Sequence, residues 1–130
     1  MATYINPAAL ELSLNHLKTN CNKIVVVASY TAGDSRTTVL AGSNVLASLD
    51  ITTDFVVGDF TITNSGNARV LNSPPSESDT VADNTGTATH IVFLSASDVL
   101  YATTLTSQAI TAGNQVNFPT ITYTANQPTV

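Results

Sequence analysis

The stretch TATHIVFLSASDVLYATTLT, positions 87–106, decides the fold of this chain. Two long runs of β-branched and aromatic residues, TATHIVFLS and DVLYATTLT, flank a short polar connection at Ala96-Ser97-Asp98. Long β-forming runs joined by so short a connection are typical of an antiparallel hairpin. The residues from Ile91 to Leu94 are apolar on both faces, so we predict that the first strand of this hairpin is buried on both sides.

The chain before this hairpin shows the same alternation of β-forming runs with clusters of Gly, Asn, Asp, Ser and Pro, which is typical of an all-β domain. KIVVVASY at 23–30 is apolar on both faces and predicts a central strand. TTVLA at 37–41 predicts a short strand, and GSNVLASLDIT at 42–52 is ambiguous between a helical turn and extended chain. DFVVGDFTITNSG at 54–66 predicts a strand interrupted at Gly58, and NARVLNS at 67–73 predicts another strand.

The segments around and after the hairpin are rich in turn residues. SPPSESDTVADNTG at 73–86 predicts a solvent-exposed surface loop, with Gly86 at the bend into the hairpin. ITAGNQ at 110–115 predicts a turn centred on Gly113-Asn114, followed by a last strand VNFPTITYT at 116–124. Pro119 inside that strand predicts an edge or a bulge, because its nitrogen cannot donate to a ladder.

The segment NPAALELSLNHLKTN at 6–20 fits two periods. Leu10, Leu12 and Leu14 alternate with polar residues as a strand would. We predict a helix instead, because Asn6 can cap it, Pro7 suits its first position, and Leu10, Leu14, Leu17 and Cys21 then share one face. Ala8 and Leu12 would point away from that face, as in a helix that a neighbouring subunit covers.

Together these elements predict an all-β fold: a β-sandwich or barrel-like domain of about seven strands with one N-terminal helix. A chain of 130 residues has the size of one domain and can bury a sizeable core. We therefore predict a single domain over 1–130 with short flexible arms at about 1–6 and 126–130.

The composition limits the classes of partner. Only 10% of the residues are charged, 43% are hydrophobic, and the net charge of −5 leaves too few cations for a nucleic-acid surface. Cys21 is the one cysteine, which fits folding without disulfides in a reducing cytoplasm. No apolar run is long enough for a membrane span, and the N-terminus lacks the pattern of a signal peptide, so we expect no membrane partner.

The residues of catalytic or metal-ligand type form no recognised motif. His16, His90 and Cys21 have no zinc spacing, and no hydroxyl lies in a nucleophile elbow. His90 shares a strand face with Val92 and Leu94, which favours a structural or interface histidine. Asp50, Asp54 and Asp59 could in principle serve a glycosidase, but their spacing is more typical of strand ends and turns. The oxygen atoms of Asp79, Asp83 and Asn84 could bind calcium, but the segment is more typical of a solvated acidic loop. We predict no catalytic residue, no metal and no cofactor, and hence no enzyme.

Three blocks in this order, NHLKTNCNKIVVVAS, SLDITTDFVVGDFTITNSGNARVLNSPP and the sequence from DTVADNTGTATHIVFLS to TITYT, resemble small virion proteins of tailed bacteriophages. The resemblance covers about positions 10–125 and rests on the general pattern of DNTGTATHIVFL, DVLYATTL and TAGNQVNFP. It is closest to head decoration, or cement, proteins. It implies a small β-rich domain bound to the capsid exterior, with the major capsid protein and other copies of itself as partners, the latter as a homotrimer.

On this resemblance we expect a non-enzymatic protein that is made in the host cytoplasm and stabilises contacts between capsid subunits. The predicted contact residues lie in the arms, on the helix and at the last strand: Tyr4, Ile5, Leu12, Pro119, Gln127 and Pro128. Tyr4 and Ile5 could equally pack on the domain's own sheet. Two alternatives stay open: a tail, neck or fibre component that assembles through the strand edge near Pro119, and a carbohydrate- or receptor-binding β module.

Overall fold

The hairpin predicted at positions 87–106 is present in the structure, a computed structural model that describes residues 7–50, 57–65, 68–73, 77–118 and 121–126. These residues contain nine strands, a long helix α1 (Pro7–Asn20), a short helix α2 (Arg36–Val39) and a 3-10 turn (Val57–Asp59). The strands are β1 (Lys23–Val27), β2 (Val45–Asp50), β3 (Thr61–Ser65), β4 (Ala68–Asn72), β5 (Glu77–Val81), β6 (Gly86–Leu94), β7 (Val99–Ile110), β8 (Gln115–Phe118) and β9 (Thr122–Ala125). The predicted all-β fold with an N-terminal helix is confirmed.

The main sheet has the strand order β2-β1-β6-β7, and all its pairs are antiparallel. β1 is central, as predicted, because it pairs with β2 on one side and β6 on the other. Ile24 and Val26 of β1 enter the main core, whereas Val25 and Val27 enter a second cluster with Val39 of α2. The sheet is therefore buried on both faces, which explains why its inner strands are apolar without alternation.

A second, three-stranded sheet has the order β3-β4-β9 and packs across the main core from the first sheet. An aromatic contact bridges the two sheets: the ring centroids of Tyr101 on β7 and Tyr123 on β9 lie 5.0 Å apart, edge to face. Within the main sheet, the ring of Tyr101 also lies 5.9 Å from that of Phe93 on β6. Helix α1 packs on β4 and β9 through Leu14 and Leu17. The result is a sandwich-like arrangement in which α1 closes one side.

The hairpin is longer than the sequence predicts. β5 and β8 continue the register of β6 and β7, since Gly86 lies opposite Ile110 and Val81 lies opposite Gln115. Each arm contributes four residues to the corner between them, 82–85 and 111–114, and backbone bonds join the arms there, from Ala82 N–H to Asn114 O (2.8 Å) and from Gly113 N–H to Ala82 O (2.9 Å). Residues 77–118 are thus one hairpin with a corner in the middle.

Three local predictions are wrong. TTVLA is not a strand, because Ser35 caps α2: its hydroxyl oxygen accepts the Thr38 N–H at 3.2 Å, and this cap outweighs the β-branched residues. The predicted loop at 73–86 contains β5, which is extended because it pairs with β8 in the same register in which β6 pairs with β7. The predicted last strand is two strands, since β8 pairs with β5 and β9 pairs with β4 in another sheet.

Candidate functional site

The outer side of β7 is an open strand edge. β7 is the last strand of the main sheet and pairs only with β6, and among the described residues no backbone hydrogen bond reaches its other side. It is the longest strand, with 12 residues, VLYATTLTSQAI, and it contains no charged residue and no proline. Edge strands are commonly protected by charge, proline, a bulge or a covering segment. The pairing of β7 with β6 is irregular at Leu100 and at 105–107, so the regular part of this uncharged edge is the short segment 101–104, where another chain could add.

The opposite edge of the same sheet is covered at one end. The corner of the hairpin lies against β2, where Asp83 N–H donates to Leu46 O at 2.7 Å and the Asn84 side-chain Nδ2 donates to Val45 O at 2.7 Å. At the far end of β2, Asp50 forms an ion pair with Lys23 of β1 at 2.6 Å. The two edges of the main sheet therefore differ: bonds from the hairpin corner reach Val45 and Leu46 of β2, whereas within the described part of the chain no such bond reaches the outer side of β7.

A groove of about 270 Å³ adjoins the first half of β7. Its lining comes from α1, β7 and β9: Ser13, His16, Leu17, Leu100, Tyr101 and Tyr123. We call this feature the tyrosine groove. The two tyrosine rings and the leucines give it an apolar floor, and neither ring is fully buried. An apolar groove beside a strand edge is typical of an interface where a partner strand forms backbone hydrogen bonds with the edge and places side chains in the groove.

Leu12 is the one predicted contact residue that the structure describes. It lies on α1, is 69% exposed, and is one helical turn before His16, so it stands beside the tyrosine groove. The prediction that it points away from the main apolar face agrees with this exposure. The other predicted contacts, Tyr4, Ile5, Pro119, Gln127 and Pro128, lie outside the described residues, as do most of the predicted arms.

His90 is half-buried on β6, and its hydrogen bonds define its tautomer. The Thr89 hydroxyl donates its only proton to Ala28 O at 2.8 Å, so this oxygen can only accept from His90 Nδ1, which lies 2.9 Å away. Nδ1 therefore carries a proton, and the ring lies 5.7 Å from that of Tyr30. A histidine held in this way has a structural role, as the strand pattern predicts.

Cys21 is buried and protonated. Burial raises the pKa of its thiol from 9.0 to about 12, against the opposing effect of hydrogen bonds to the backbone of Lys23 and Leu94. A thiol in this state is not a nucleophile near neutral pH, because the reactive form is the thiolate. The residue belongs to the core beneath α1, as a small apolar side chain.

The described members of the two acidic sets have separate surroundings. Asp50 pairs with Lys23, Asp83 is exposed at the corner, and Asn84 uses its amide nitrogen on the β2 backbone. Asp54 and the side chain of Asp79 lie outside what the structure describes. Within the described residues, no three His, Cys, Asp or Glu side chains form a group that could hold a metal ion, and no helix there is long and apolar enough to cross a membrane.

A second recess, of about 350 Å³, lies at the corner of the hairpin and is lined by Gln108, Ala109, Ile110, Thr111, Asn114, Gln115 and Val116. This lining contains amides and hydroxyls but no aromatic ring. Sugar-binding sites commonly stack the sugar on an aromatic face, so this recess does not favour a carbohydrate module.

The open edge and the tyrosine groove were missed by sequence reasoning, which placed the edge near Pro119. The groove joins residues from three distant segments, and no local pattern can show that. The edge had a visible signal, since positions 99–110 form the longest β-forming stretch without charge or proline.

The chain matches no family model, no curated protein and no solved structure. Any statement on function therefore depends on the residues and geometry described above.

Proposed function

We propose that the protein is a non-enzymatic structural component of a tailed-bacteriophage particle, a decoration or cement protein that binds the capsid exterior and stabilises contacts between major capsid protein subunits. The observation that carries the proposal is the open edge of β7 with the tyrosine groove beside it. This surface suits a protein whose function is to bind other proteins. The resemblance of the sequence to phage virion proteins supports the capsid exterior as the place where it binds.

The physical properties of the chain support such a role. The cores of protein interfaces contain few charged residues, and only 10% of this chain is charged. A strand edge supplies backbone hydrogen bonds, and exposed apolar groups such as Leu12 supply buried area. Many copies on one shell act together, so that modest single contacts suffice for stable attachment.

The alternative with the same surface is a tail, neck or fibre component. Copy number separates the two: gel densitometry of purified particles against the major capsid protein should show a decoration protein in amounts comparable with that protein. A small fraction of that amount would overturn the capsid role and favour the neck or tail.

A second experiment tests stabilisation directly. Shells that lack the protein should release their DNA at a lower temperature than complete particles, and adding the purified chain should restore the difference. If the release temperature does not change, the protein does not stabilise subunit contacts. Binding to a glycan array, with no binding to shells, would support the receptor-binding module instead.

A further inference from the structure

We draw no further inference here: the strongest candidate, the outer face of the β3-β4-β9 sheet, where Thr61, Thr63, Thr122 and Thr124 flank Asn72 and Val70 in register, is an exposed sheet face, and nothing in the structure shows what covers it.

Discussion

Leu12 and Leu14 lie two residues apart on α1, and truncating each to alanine should separate binding from folding. Leu14 is fully buried in the main core, whereas Leu12 is 69% exposed beside the tyrosine groove. The two variants remove the same atoms from the same helix, so each serves as the control for the other.

The magnitudes follow from the burial of each side chain. Complete burial of a leucine contributes roughly 1.5–3 kcal/mol, and about one third of Leu12 is buried, so Leu12→Ala should cost about 0.5–1 kcal/mol of folding free energy. The higher helix propensity of alanine offsets part of that loss. Leu14→Ala removes the transfer free energy and leaves a cavity, and should cost about 3–5 kcal/mol.

The exposed part of Leu12 determines the effect on binding. If a partner covers the remaining two thirds, the contact contributes about 1–2 kcal/mol, and its loss weakens binding to shells by roughly 5- to 30-fold. Urea denaturation followed by circular dichroism measures the first quantity, and cosedimentation with shells that lack the protein measures the second. A Leu12→Ala variant that loses as much stability as Leu14→Ala, or that binds shells like the wild type, would refute the reasoning.

Three further predictions concern the core and the corner of the hairpin. The pKa of Cys21 is about 12 in the folded chain and 9.0 ordinarily, so the unfolded state loses this proton first as the pH rises. The free energy of unfolding should therefore fall above pH 9, by up to about 1.4 kcal/mol per pH unit. Urea titrations at pH 8 and pH 10 measure this difference, and Cys21→Ala should abolish the part that comes from the thiol. Asn84→Ala removes the bond to Val45 O and should cost about 1 kcal/mol by urea denaturation, with increased light scattering as the β2 edge loosens; unchanged scattering would show that the Asp83 backbone suffices as cover. Gly113 has φ of +88°, so Gly113→Ala should lower the free energy of unfolding by about 1–2 kcal/mol in the same assay, and a neutral result would mean that the turn can change its conformation.

The strands of the main sheet could be predicted from the sequence because their signals are local. KIVVVASY and TATHIVFLS are continuous apolar runs bounded by polar residues, and both fill inner positions of the sheet. β5 could not be predicted in this way. Its sequence ESDTV is polar and acidic, and it is a strand because β8 continues the pairing of β7 beyond the corner, which is a non-local effect.

The same distinction applies to the interaction surface. Leu12 could be placed outside the helix core by counting the 3.6-residue period, and it is exposed in the structure. The tyrosine groove depends on the meeting of α1, β7 and β9, with Tyr101 and Tyr123 in ring contact although they are 22 positions apart. No period within one segment contains that information.

The corner of the hairpin relates the fold to the proposed assembly. A straight hairpin over 77–118 would only extend the main sheet along its strands. The four corner residues on each arm turn the chain so that Asp83 and Asn84 meet the β2 backbone, on the side of the sheet opposite β7. One hairpin thus provides one edge strand of the main sheet and covers the other edge at Val45 and Leu46. A strand that adds beside β2 would have to avoid Val45 and Leu46, so the β7 edge is the less obstructed of the two.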